Sequence, residues 1–282
     1  MANTEFSYVK TFESNDVLPP SQWIVIRIDG RGFSKLCIKY NFQKPNDARL
    51  MHLMNSAAER VLQAFPDMVL AYGQSDEFSF VLHEDTRLFE RRSAKLSSSV
   101  ATMFTAEFCM GWVDAMGVEV GGDGKLERPW PTFDGRCICY PKKKIIRDYL
   151  AWRQADCHIN NLYNTTFWNL VLKGGMSGTE AEQELKGSVA SDKNEILWSR
   201  FGVNYNQELE VWRKGTVMYR VYDDVGGGGG GEEKGVDAKS KSQLEKERKR
   251  KMKAKIVQEH TDIIGDGFWE KRPYILATRG AE

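Results

Sequence analysis

"WIVIRIDGRGFSK", Trp23–Lys35, is the stretch on which the reading of this chain turns. A short β-branched run ends in a carboxylate, Asp29, beside Gly30 and Gly32. The run predicts a buried strand, and Asp and Gly are ordinary turn residues that could close it. A second stretch gives Asp29 a more specific meaning. "MVLAYGQSDEFSFVL", Met68–Leu82, divides into two apolar runs around Gly73-Gln74-Ser75-Asp76. That is a hairpin pattern, with Phe78, Phe80 and Leu82 alternating on its second strand.

Between these stretches "PNDARLMHLMNSAAERVLQAFPD", Pro45–Asp67, has its apolar residues at helical spacing, with Asn46 available as a cap. A second long helix is expected from about Glu90 to Val113, and "FDGRCICYP" follows as a strand ended by Pro141. The order strand, helix, strand, strand, helix, strand is the split βαβ pattern. It defines an α+β domain, ferredoxin-like, with two helices on one face of an antiparallel sheet. In that topology the first and third strands are central neighbours, so Asp29, Asp76 and Glu77 arrive at one sheet edge. Converging carboxylates repel one another. Bound Mg²⁺ removes the repulsion, and two such ions about 4 Å apart can clamp an in-line phosphoryl displacement. The loop Gly30–Ser34 offers backbone N–H groups that can approach phosphate closely. Arg31, Lys35, Lys44, Arg92 and Lys95 are cations that could offset triphosphate charge, although Arg92 and Lys95 fit a solvated helix face equally well.

Residues 1–141 thus form one unit, 142–225 a mainly helical part, 226–257 a flexible insertion and 258–282 a C-terminal segment. The insertion opens with six glycines, Gly226–Gly231, and ends in a tract, Lys239–Lys255, with nine Lys or Arg against two Glu, a composition that does not pack. "GGDG", Gly121–Gly124, reads as a hairpin turn. With 41% apolar and 28% charged residues the chain has the composition of a soluble globular protein. A net charge of +1 argues against coating nucleic acid by charge alone, while leaving room for a local basic face. No apolar run is long enough to predict a membrane span, and the first residues do not read as a signal peptide. The five cysteines are odd in number and mostly in apolar settings, which predicts reduced thiols in the cytoplasm, with the nucleus as a second compartment. Cys137 and Cys139 share a strand face, but His52, His83, His158 and His260 lack the spacing of a zinc site.

"DGRGF" (Asp29–Phe33), "SDEFSF" (Ser75–Phe80) and "HINNLYNT" (His158–Thr165), in this order and spacing, together resemble the tRNA(His) guanylyltransferase family. The resemblance runs from about Tyr8 to Arg220 and implies a polymerase-palm-like catalytic domain working in the reverse, 3′–5′ direction. It implies addition of a G to the 5′ end of tRNA(His), at position −1. ATP adenylylates the 5′-phosphate, the GTP 3′-hydroxyl displaces AMP, and pyrophosphate is then removed. It implies two Mg²⁺ held by Asp29, Asp76 and the carbonyl of Gly30, with Glu77 as a further catalytic carboxylate. Arg31, Gly32, Phe33 and Ser34 would wrap the triphosphate, and Ser75 and Lys44 would lie by the activating nucleotide; the cations Arg92 and Lys95, read from the sequence itself, are expected to add to the nucleotide site. His158, Asn160, Asn161 and Asn164 would meet nucleotide or tRNA, or form a buried polar network. A homotetramer is implied, and the glycine run departs from the family pattern. Two other readings stay open: a diguanylate-cyclase-like enzyme, whose Gly-Gly-Asp-Glu-Phe hairpin "YGQSDEFSF" echoes, and an RNA-binding module without catalysis.

Overall fold

Strand β1 (Trp23–Arg31) is apolar on both faces, and the architecture follows from that. In the computed structural model, which describes residues 4–117, 124–222, 242 and 253–277, β1 lies inside a six-stranded antiparallel sheet. The other strands are β2 (Met68–Gln74), β3 (Glu77–Leu82), β4 (Thr132–Tyr140), β5 (Thr216–Val221) and β6 (Lys255–Glu259), in the order β4-β1-β3-β2-β5-β6. Ile24, Ile26 and Ile28 face one core with Phe78, Phe80 and Leu82 of β3, while Trp23 and Val25 face a second. A strand buried on both sides reads as a continuous apolar run.

The first core is closed by α2 (Ala48–Ala64) and α3 (Ser93–Met116), as expected. The second face is covered too, by the first half of α4 (Lys143–Leu172) together with Ile263, Ile275 and Leu276, and with Phe268 and Trp269 of α8 (Gly267–Lys271). The second half of α4 carries α5 (Gly178–Leu185), α6 (Ala190–Phe201) and α7 (Glu210–Lys214). The region after residue 142 is therefore helical but also supplies two strands.

Helix starts differ from the sequence reading for local reasons. Asp47, not Asn46, caps α2: its carboxylate accepts from the Arg49 and Gln43 backbone N–H groups at 2.9 Å each. Asn46 instead donates to Asn161 of α4 at 2.9 Å. Helix α3 begins at Ser93 because Phe89, Glu90 and Arg91 take left-handed φ values of 49°, 57° and 60°. The buried Arg91 guanidinium holds that turn by donating to the carbonyls of Leu18, Pro19, Gln22, Glu84 and Thr86. Strand β6 takes Lys255, Ile256 and Val257 out of the stretch expected to be insertion, since they pair with Val221, Arg220 and Tyr219. The rest of that stretch, Ser242 and Lys253–Ala254 excepted, lies outside the described residues, as do Gly121–Asp123. Among the described residues no helix is long and apolar enough to cross a membrane.

Gly73 of β2 sits opposite Phe78 of β3, whose ring occupies the place of a side chain on the glycine. Phe78 is buried against Phe80 and Phe104 and has no room to withdraw. Gly73→Ala is expected to destabilise the fold by about 1–3 kcal/mol, the cost of overpacking a filled core, read as a lower midpoint in urea.

Candidate active site

The register of the sheet assembles the site. β1 pairs antiparallel with β3 so that Asp29 stands opposite Glu77, and with β4 so that Asp29 stands opposite Asp134. Directly opposed residues share a face, so these three carboxylates lie on the α4 side of the sheet. Asp76 enters from the two-residue turn between β2 and β3. Its backbone carbonyl accepts from Gly30 N–H at 3.0 Å, which ties the hairpin turn to the end of β1. Ser75 donates to the Asp76 carboxylate at 3.0 Å and takes a left-handed φ of 50° to turn the chain.

The carboxylates are not equivalent. Glu77 faces two arginines: Arg153 of α4 donates to its Oε2 at 3.1 Å, and Arg27 Nε of β1 lies 3.7 Å from the same oxygen. Burial pushes the Glu77 carboxyl up, Arg153 and Arg27 pull it down, and Asp29 adds a push upward, leaving it above the ordinary glutamate value. Asp76 is also raised, chiefly by burial, with the charge of Asp29 adding to it. Asp76 forms no salt bridge among the described residues. Asp29, Asp76 and the Gly30 carbonyl could hold a metal ion, and hard oxygen donors of this kind suit Mg²⁺, which binds one or two carboxylates and completes its shell with water and phosphate. Among the described residues no group of three or more His, Cys, Asp or Glu is arranged to hold an ion. The expected three-carboxylate cluster is therefore a pair, with Glu77 drawn aside into ion pairs.

The glycine-spaced loop divides in two. Arg31, Gly32 and Ser34 are exposed at the sheet edge. Phe33, expected beside the triphosphate, is instead a core residue: its ring packs 5.0 Å from Phe133 and 5.6 Å from Phe108 and fills the space over Gly30. Only its backbone can serve a ligand, and Gly30 is required because any Cβ would enter that ring. Lys44 reaches toward α4, 5.4 Å from the Trp168 ring.

Arg92 and Lys95 are not brought to the carboxylates within one chain. Helix α3 runs along β4 from Ser93, whose carbonyl accepts from Cys137, past Gly135 at Ser97, to Phe104 and Phe108 against Phe133. It packs on the face opposite Asp29, and its first turn lies at the remote end of β4. Arg92 is 3.9 Å from Glu90, and Lys95 lies 4.9 Å from the Phe89 ring.

The Asn-rich stretch of α4 splits as well. Asn161 is buried, donating to Tyr205 at 3.0 Å and accepting from Asn46, so it holds elements together. His158, Asn160 and Asn164 are exposed. Asn160 donates to Asp156 at 3.1 Å. The residues that the sequence reading missed are Arg27, Gln74, Arg153 and Asp156. Asp156 accepts from Gln74 at 3.2 Å and pairs with Arg153 at 2.9 Å, which braces α4 on the hairpin. Arg27 had a signal, a charge inside an apolar strand. Arg153 and Asp156 had only a helical i, i+3 spacing, which many solvated faces show.

An antiparallel α+β sheet that presents a carboxylate pair beside a glycine-spaced loop is the frame of a nucleotidyltransferase. A family model described as "tRNAHis guanylyltransferase" matches residues 6–141, and one described as "Thg1 C terminal domain" matches 144–265. The tRNA(His) guanylyltransferase of Neurospora crassa is 52% identical over 98% of this chain and 97% of its own. That of Schizosaccharomyces pombe is 46% identical over 98% of each. The crystal structure of the Saccharomyces cerevisiae tRNA(His) guanylyltransferase matches with a TM-score of 0.71 and 42% identity, over 76% of this chain and 93% of that one. A bacterial Thg1-like protein solved in complex with ATP shares the fold, with a TM-score of 0.68 at 20% identity over 96% of each chain. The chain belongs to the tRNA(His) guanylyltransferase family.

Asp76 and Glu77 hold their protons more tightly folded than unfolded. Between the ordinary carboxylate pKa and the raised one the folded state binds more protons, so stability falls as pH rises through that window. In chelator-treated protein Asp76→Asn is expected to raise stability at neutral pH by about 1 kcal/mol and to flatten this pH dependence. Urea melts at pH 4 to 7 read both.

Proposed function

We infer that this chain adds a guanylate to the 5′ end of tRNA(His), at position −1, by 3′–5′ nucleotidyl transfer. The observation that carries this is the junction of β1 with the β2–β3 turn, where Asp29 and Asp76 meet through the Gly30 N–H bond. An oxygen of the tRNA 5′-phosphate attacks the α-phosphorus of ATP and pyrophosphate leaves. The 3′-hydroxyl of GTP then attacks the activated 5′-phosphorus and AMP leaves. Water finally removes pyrophosphate from the added nucleotide. Phosphoryl transfer asks a protein mainly for positioning and charge stabilisation.

Asp29, Asp76 and the Gly30 carbonyl would hold Mg²⁺, which when bound neutralises phosphate charge and aligns the attacking and leaving oxygens. The exposed Arg31, Gly32 and Ser34 would receive phosphates, and Lys44 would add positive charge from the α4 side. Arg153 and Arg27 keep Glu77 paired, so that it shapes the electrostatic field without competing for the ion. His158, Asn160 and Asn164 are exposed and would meet nucleotide or tRNA. A homotetramer is part of this reading. Phe6, Tyr8, Val9 and Phe12, each more than half exposed along Glu5–Phe12, are apolar surface of the kind an interface covers.

The test incubates the protein with 5′-labelled tRNA(His), ATP, GTP and Mg²⁺. A product one nucleotide longer is expected, and EDTA should abolish it. Asp29→Ala should lose at least about 100-fold in addition, the scale of removing a main electrostatic group, while tRNA binding by filter assay is kept. Unchanged addition by that variant would refute the assignment.

A further inference from the structure

Trp152 of α4 has no part in the site described above. It is 55% exposed, although one side of its ring is already covered: the Arg153 guanidinium lies 3.8 Å from the ring centroid. Tyr149 meets it edge-on at 6.0 Å. The remaining indole surface faces solvent. The guanidinium against it is fixed, since it donates to Glu77 at 3.1 Å and pairs with Asp156 at 2.9 Å. Glu77 stands opposite Asp29. The open indole is thus one guanidinium away from the carboxylates of the reaction centre.

The neighbouring sheet surface is open as well. Among the described residues β4 is the outer strand of the sheet, and its Asp134 and Arg136 are exposed on the face that Asp29 and Arg27 share. Arg136 stands opposite Arg27 and pairs with Asp134 at 3.2 Å. An exposed ring held by a charged stack, over the sheet face that also carries the exposed Arg136 guanidinium, matches one ligand chemistry, a nucleobase adjoining a phosphate.

We propose that Trp152 stacks on the terminal base at the 5′ end of the RNA, with Arg136 facing the adjoining phosphate. The proposal rests on the function inferred above. A base at the 5′ end of an RNA offers a π-face on which an aromatic side chain can stack, and among the described residues β4 is an outer strand of the sheet. Because Arg153 already fixes the indole, little rotamer freedom is lost on stacking.

The test compares wild type, Trp152→Ala and Trp152→Phe on tRNA(His) carrying either its normal 5′ nucleotide or an abasic one. Base–aromatic stacking is worth about 1–3 kcal/mol, or roughly 5- to 150-fold. Trp152→Ala is expected to raise KM for tRNA by a factor in that range, leaving KM for GTP and the melting temperature unchanged. The abasic end should weaken filter binding of the wild type by a similar factor and that of Trp152→Ala hardly at all. Trp152→Phe should restore most of the preference. Full discrimination retained by Trp152→Ala would overturn the proposal. So would an effect on KM for GTP alone, or a change in oligomeric mass showing that another copy covers the ring. Failure of the wild type to add any nucleotide would instead count against the functional reading, and the binding comparison would still decide the stacking.

Discussion

The antiparallel pairing of β1 with β3 is the constraint on which the molecule depends. It puts Asp29 opposite Glu77 and lets Gly30 bond the carbonyl of Asp76. A shift of register by one residue would move Asp29 to the α2–α3 face, among Phe33, Phe104 and Phe133. The charges on the second face oppose that shift, because it would bury Arg27 and Asp29 in the aromatic core. In the observed pairing Ile24, Ile26 and Ile28 bury with Phe78, Phe80 and Leu82. The core therefore fixes the active-site geometry, and the charged end of the strand is carried there by its apolar beginning.

That geometry is unfavourable in electrostatic terms, and the second layer of the protein compensates. Asp76 and Asp29 repel, and Glu77 would add to the repulsion if it were free. Helix α4 brings Arg153 against Glu77 and Asp156 against Gln74, so the hairpin is braced from the side on which its charges point. Arg27 contributes from within β1 at 3.7 Å. The Asp76 carboxyl has no such cation paired with it among the described residues, and burial keeps it raised.

The split βαβ order, the hairpin and both long helices were legible, because each rests on a local period of two or of 3.6 residues. Asp29, Gly30, Ser75 and Asp76 were legible too, since each sits at the end of a strand or in a tight turn. At other positions the sequence left two roles open to a side chain. Phe33 lies in the loop motif but fills the core over Gly30. Asn161 belongs to a polar stretch but is buried against Tyr205. The pairs Arg153–Glu77 and Gln74–Asp156 join residues more than seventy positions apart and leave no local pattern.

By itself the sequence determined where strands and helices form and which family motifs the chain carries, because propensity, periodicity and turn chemistry act over a few residues. Only the tertiary structure decided which charges share a face. Arg92 and Lys95 lie behind the sheet, because α3 packs on the face opposite Asp29, with its start beside Cys137 and its Phe104 and Phe108 against Phe133 at the site end of β4. The direction of a helix across a sheet is set by which apolar faces meet, and that is a property of the packed whole.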